Sequence, residues 1–241
     1  MREALQITLL TQRKSRGESC MEDHELIRIE KVSFSYGRGR DVLRDCYLRL
    51  EPRDRLAITG PNGSGKSTLL ALLVGLIKPS SGRVWVLGKL RQTEGDFREV
   101  RGRVGLLFQN SDDQLFCPTV AEDVAFGPLN LGKSREEVRQ IVKETLENLG
   151  LEGYERRITY QLSGGEKRLV ALATILALQP EVLLLDEPTT GLDEASQERV
   201  TNLICRLPQA MIVVSHDQHL LRQVTNRKLV LTQGQLVPAE L

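Results

Sequence analysis

Cysteine is scarce in this chain, and no cysteine is placed to work with another. Four occur in 241 residues, Cys20, Cys46, Cys117 and Cys205, with no C-x-x-C pair. That excludes a disulfide frame and a cysteine zinc site, and predicts reduced thiols in a cytosolic protein. An excess of charge of either sign is also missing: 33 Lys and Arg face 32 Asp and Glu. Such a balance carries no electrostatic footprint for nucleic acid, so none is expected as a partner. Long hydrophobic runs are absent as well. The longest mainly apolar stretch, residues 169–178, is about half of what a membrane-crossing helix requires. A membrane role would have to pass through a partner. What remains is an ordinary globular composition, 40% hydrophobic and 27% charged, long enough for one large domain or a core with an inserted subdomain.

Against that background one stretch stands out: Gly60-Pro61-Asn62-Gly63-Ser64-Gly65-Lys66-Ser67-Thr68. It fits G-x-x-x-x-G-K-[ST], the phosphate-binding loop, and its context is the one the motif requires. Residues 55–59 read as a buried strand before it, and residues 69–76 as a helix after it that stops near Pro79. Its glycines let backbone N–H groups wrap phosphate oxygens without Cβ clashes. The following helix N-terminus aims a partial positive charge at the same anion. Lys66 is placed to reach the β- and γ-phosphates, and the Ser67 hydroxyl to ligate Mg²⁺. The chain is expected to bind a nucleoside triphosphate.

The rest of the chain reads in order around this loop. Residues 1–25 are a polar lead-in containing His24. Their apolar residues are interrupted and no small-residue cleavage site follows, which argues against a signal peptide; Met21 is an alternative start. Val32, Phe34 and Tyr36 then alternate with polar residues, Gly37-Arg38-Gly39 turns the chain, and Cys46, Leu48 and Leu50 alternate again, as an antiparallel β unit does. Tyr36, at a strand end beside a turn, is either a sheet-edge aromatic or a base-stacking one. Short strands are expected over residues 82–88 and 104–108, the latter ending at Gln109. Helical patterns follow, with Ser134 and Glu137 as a capping box and Val138, Ile141, Val142, Leu146 and Leu149 on one face, closed by Gly150. Leu162-Ser163-Gly164-Gly165-Glu166 opens a further helix. Residues 182–185 are all apolar, as a central parallel strand should be, and deliver Asp186 and Glu187 to the strand's carboxyl end, where α/β sheets bind ligands. Asp193 is placed as an N-cap, residues 211–215 form one more buried strand ending at His216, and a hairpin around Gly234 ends the chain.

Together these motifs resemble the ATP-binding cassette (ABC) ATPases over about residues 26–237. Leu162-Ser163-Gly164-Gly165-Glu166 is similar to the family signature, which usually ends in glutamine. Residues 183–188 are similar to its second nucleotide motif and residues 189–193 to its D-loop; Gln109 and His216 resemble the Q-loop and switch residues. Residues 108–116, 122–128 and 162–168 look most like the ATPases of energy-coupling factor (ECF) transporters, which import cobalt, nickel or vitamins. The implied fold is α/β: a P-loop NTPase core with an N-terminal antiparallel β subdomain and an inserted α-helical subdomain. The expected divisions are 1–25, 26–109, 110–176 with the signature, and 177–241.

The resemblance also implies roles. Asp186 would hold Mg²⁺ opposite Ser67, with Gln109 touching the metal or the attacking water, and Glu187 would polarise that water as general base. His216 would reach the γ-phosphate, and Tyr36 would stack on adenine. Ser163, Gly164 and Gly165, at a helix N-terminus, would close with Asp193 over the ATP of a second subunit, either a homodimer mate or a paralogous cassette. The expected protein is an ATPase at the cytoplasmic face of a membrane, bound to a transmembrane coupling subunit. Rival readings are the ATPase of another ABC importer, a soluble non-transport ABC ATPase, and a module that senses ATP without turnover. Phe116 and Val120 are expected either to line a groove for a helix of the membrane subunit or to pack inside the helical subdomain.

Overall fold

The computed structural model describes residues 25–37 and 41–240. The lead-in with Cys20, Met21 and His24, and the Arg38-Gly39 part of the first turn, lie outside the described residues. The chain builds a four-stranded antiparallel sheet and a six-stranded, mostly parallel one. In the first, β1 (Ile27–Ser35) pairs antiparallel with β2 (Asp41–Leu50), in register Ile27 to Leu50 and Val32 to Cys46, and on its other side with β4 (Ser81–Val86). A short β5 (Lys89–Arg91) completes that sheet and was not foreseen. Leu87 and Gly88, at φ 55° and 72°, form the two-residue turn that twisted hairpins favour, so the expected strand ends at Val86.

The second sheet has the order β10-β9-β3-β8-β7-β6. Here β3 (Arg55–Thr59) lies between β8 (Ala210–Val214) and β9 (Arg227–Thr232), parallel to both; β7 (Val182–Asp186) sits between β8 and β6 (Val104–Leu107). The edge strand β10 (Gln235–Ala239) folds back antiparallel on β9. The apolar strands read this way because both faces are covered. Leu56, Ile58, Val182, Leu184, Ile212 and Val214 face one apolar cluster, with the antiparallel sheet; Ala57, Leu183, Leu185, Met211 and Val213 face another, with the helices.

Helix α1 (Lys66–Leu73) leaves the phosphate loop and is shorter than its apolar run predicts. Gly75, at φ 72°, ends it, and a Cβ there would meet the Phe97 ring at 2.2 Å. That ring belongs to α2 (Glu94–Val100), capped by Thr93 and Asp96. Between β6 and β7 lie α3 (Val120–Asn130), α4 (Arg135–Asn148) and α5 (Gly164–Leu176). The expected Ser134–Glu137 capping box is present on α4, and Val138, Val142 and Leu146 are its buried face. Helices α6 (Glu194–Arg206) and α7 (Gln218–Val224) complete the fold. Cys46, Cys117 and Cys205 are free, and burial pushes the Cys117 thiol up to about 11. Among the described residues, no helix is long and apolar enough to cross a membrane.

Candidate active site

The site begins where β3, β7 and β8 release the chain at one end of the parallel sheet. From β3 the backbone enters the glycine-rich loop. Gly60 packs so closely on β9 that a Cβ would stand 2.2 Å from the Leu231 carbonyl oxygen. Gly63 and Gly65 adopt φ 75° and 105°, and a Cβ on Gly65 would strike Val42 at 2.5 Å. These positions tolerate only glycine without strain. The loop hands over to α1 with no side-chain cap at Gly65, leaving the first N–H groups of the helix open toward the loop. Ser64 Oγ is buried without a protein partner in the same loop. A cradle of free backbone donors is what a phosphate group requires.

Lys66, the first residue of α1, is buried, and its Nζ donates to the carbonyls of Gly60 and Pro61 at 2.9 and 3.0 Å. Burial pulls its pKa down, while the charges of Glu187 and Asp186 pull it back up. Asp186, at the end of β7, is only 6% exposed. Burial raises its pKa and the Glu187 charge adds to the rise, whereas a hydrogen bond from the Ser67 hydroxyl opposes it. Hydroxyl and carboxylate are therefore side by side across the β7–α1 gap.

Glu187 follows in a left-handed backbone conformation, φ 48°, which turns its carboxylate back over the strand ends. Its Oε2 accepts from Thr190 Oγ1 at 2.9 Å, Ser215 Oγ at 3.3 Å and the His216 N–H at 3.4 Å. Its Oε1 lies 3.5 Å from His216 Nε2. β8 ends beside β7 in register, with Val214 opposite Asp186, and this pairing alone brings His216 to Glu187.

The sequence-selected residues Tyr36, Asn62, Gly63, Gly65, Lys66, Ser67, Thr68, Gln109, Asp186, Glu187 and His216, with Val42, line one cavity of about 430 Å³. Tyr36 reaches it from the antiparallel sheet and its hydroxyl lies 3.1 Å from Thr68 Oγ1. Gly60 and Ser64 shape the loop behind it. Ser163, Gly164, Gly165 and Asp193 do not reach the cavity of their own chain. Ser163 instead caps α5, with Gly164 exposed beside it. A Cβ on Gly165 would fall 2.3 Å from Ser196 Oγ, and that hydroxyl donates to Asp193 at 2.7 Å. Signature and D-loop thus form one outward-facing edge.

Sequence reasoning missed Arg168. It is 3% exposed, and its guanidinium donates to the carbonyls of Phe108, Gln109 and Glu187. Only a basic residue opening an otherwise apolar helix run hinted at it. Thr190 and Ser215 were missed as partners of Glu187 because such contacts depend on the fold. Of the two expected readings for Val120, packing inside the helical subdomain holds: it is fully buried in the helical cluster, at the start of α3. Phe116, by contrast, is 64% exposed and stands edge-to-face with Phe126 at 4.8 Å. Both line an apolar groove of about 250 Å³ with Leu76, Phe108 and Leu178.

A parallel sheet whose strand ends hold a glycine-rich loop, a buried lysine and two adjacent carboxylates defines a P-loop nucleoside triphosphatase. The particular family follows from comparison. Residues 43–190 match the profile of the ABC transporter family, and the chain belongs to it. It is similar to a Brucella suis chain named as an ABC transporter ATP-binding protein, 51% identical over 90% of each chain. It is 44% identical to the energy-coupling factor transporter ATP-binding protein EcfA of Methanothermobacter thermautotrophicus, over 88% of this chain and 70% of that one. Among solved structures, CbiO1 of Clostridium perfringens, part of the ABC transporter complex CbiONQ, superposes with a TM-score of 0.80 at 32% identity, covering 89% of this chain and 87% of that one. An ATP-binding cassette solved as a post-hydrolysis dimer with ADP and Pi gives 0.81 at 28% identity, covering 89% and 97%. The protein is an ATP-hydrolysing cassette of a transporter.

Proposed function

We propose that this cassette powers an ECF-type importer, hydrolysing ATP at sites shared between two cassettes and passing the work to a transmembrane subunit docked on the Phe116 groove. The observation that carries the reading is the division of the nucleotide machinery. Loop, carboxylates and histidine line one cavity, while the signature edge faces outward from the same chain. A second cassette, identical or paralogous, supplies the missing edge. The relatives named for energy coupling and the CbiO1 likeness support the importer subtype, with cobalt, nickel or a vitamin as the solute class selected by the membrane subunits. On this reading the cassette works at the cytoplasmic membrane face through its partners.

The chemistry divides among this chain's residues. The loop N–H groups and Lys66 bind the phosphates, and Tyr36 holds the adenine. Ser67 and Asp186 suit Mg²⁺, since a hydroxyl and a hydrogen-bonded carboxylate are hard oxygen donors, and Gln109 stands at the same cavity. When bound, the metal neutralises charge on the β- and γ-phosphates. Glu187 accepts a proton from the attacking water, whose oxygen forms the new bond to the γ-phosphorus as the bond to the ADP oxygen breaks. Thr190, Ser215 and the His216 N–H steady the carboxylate during that transfer.

The direct test is Glu187→Gln. ATP binding should persist while phosphate release falls by roughly 10²–10⁴-fold, the contribution of a general base. Turnover at the wild-type rate would remove Glu187 from the mechanism. Co-purification of the native cassette with a small membrane protein separates the importer reading from a soluble, non-transport ATPase.

A further inference from the structure

The signature helix carries a negative charge at the end where it is expected to receive another. Glu166 lies in the first turn of α5, and its Oε2 accepts from the Ser163 N–H at 2.9 Å. Its Oε1 accepts from the Tyr154 hydroxyl at 2.7 Å and from Arg157 Nη1 at 2.9 Å. All these neighbours are donors, so a carboxylate satisfies them on its two oxygens. An amide of the same shape would turn its own NH₂ against one of them.

The cation is held in place rather than loosely paired. Its guanidinium lies 3.6 Å over the Tyr154 ring, its N–H donates to the Tyr154 carbonyl, and its own carbonyl accepts from Val120 at the start of α3. The next residue, Ile158, bridges to Thr119. Ser163 and Gly164 meanwhile remain exposed. On the shared-site reading above, a phosphate of the second cassette's ATP arrives at this helix end, where the dipole favours an anion and a bare carboxylate would repel one.

We propose that Arg157 is a positioning residue that neutralises Glu166, so that the exposed N-terminus of the signature helix accepts the phosphate of an ATP bound to a second cassette. The inference rests on the shared-site reading, and the Glu166 carboxyl, held down to about 2 mainly by the Tyr154 hydroxyl and the Ser163 N–H, stays ionised at every working pH.

The test compares wild type, Arg157→Ala, Arg157→Gln, Glu166→Gln and the double variant Arg157→Ala/Glu166→Gln, in the purified assembly that hydrolyses ATP. Steady-state hydrolysis is followed against ATP concentration at low and high salt, with thermal melting alongside. Both Arg157 variants should raise the KM for ATP about fivefold, a modest effect because the guanidinium is half exposed, with kcat nearly kept. The increase should shrink at high salt. In the double variant, removing the carboxylate should return KM to that of Glu166→Gln. A packing role would show as lower melting with no rescue by Glu166→Gln, and that overturns the proposal. So does an unchanged KM in Arg157→Gln. Ser163→Arg separates the two levels: if it hydrolyses ATP like wild type, the shared-site reading fails. If it is inactive while the Arg157 variants match wild type, only the inference about Arg157 fails.

Discussion

Arg168 donates a hydrogen bond to the backbone carbonyl of Gln109 at 2.5 Å, from a position that is almost wholly enclosed. The same guanidinium also holds the carbonyls of Phe108 and Glu187, at 2.7 and 3.3 Å. One side chain on the signature helix therefore ties the segment that carries the cavity glutamine to the segment that carries Glu187. Burial pulls its pKa down, and the charges of Asp186 and Glu187 oppose that.

Arg168→Ala should cost about 3 kcal/mol of stability, because it strands buried carbonyls that have lost their donor. It should also lower kcat, since Glu187 and Gln109 lose their common anchor. Arg168→Lys, with one ammonium in place of a fork, should recover only part of either. Urea unfolding and phosphate release measure both; an alanine variant as stable as wild type contradicts this account.

Tyr36 contributes a ring and a hydroxyl, and the two are separable. Tyr36→Ala should weaken nucleotide binding by about 1–3 kcal/mol, the value of one base stack. Tyr36→Phe keeps the ring and loses only the contact with Thr68, so it should bind ATP nearly as wild type does. Titration with a fluorescent nucleotide distinguishes them, and equal affinity in the alanine variant would show that the adenine rests elsewhere.

Phe116 is exposed, and among the described residues its aromatic ring contact is with Phe126. Phe116→Ser should therefore cost about 1 kcal/mol, the scale of an edge-to-face pair, and shift Tm by only about 2–4 °C. Soluble ATPase activity should persist while transport in the assembled importer is lost. A large fall in Tm together with both activities would make Phe116 a core residue and move the docking surface elsewhere.

Glu166 makes the protein sensitive to acid in a definite window. Its carboxyl is lowered from 4.5 to about 2 in the folded chain, so the unfolded chain takes up the proton first as pH falls. The stability it supplies is complete above about pH 4.5 and is lost on descending toward pH 2. Glu166→Gln has no such group and should lose less stability than wild type across that window. Parallel denaturation curves for the two proteins at each pH would refute it.

Much of the site was legible because it is local. Gly60, Gly63, Gly65, Lys66 and Ser67 act through the conformation of one loop, and Asp186 and Glu187 through the end of one strand, so spacing along the chain specified them. The capping box at Ser134 was legible for the same reason, joining residues three apart. Where the reading slipped, the deciding contact was remote. Phe97 against Gly75 shortened α1, and packing in the helical cluster decided between the two readings of Val120.

Residue order along the chain was enough to place a glycine-rich phosphate loop, two adjacent carboxylates at a strand end, and a family whose motifs occur in order. Which of these residues share a cavity and which face away depended on how distant segments pack. Sheet register set Val214 opposite Asp186 and so brought His216 to Glu187, while the placement of α5 beside α6 turned Ser163, Gly164 and Asp193 outward. The physical reason is that hydrogen-bond register and helix packing are long-range and cooperative. A loop's φ angles, by contrast, depend on the residues within it.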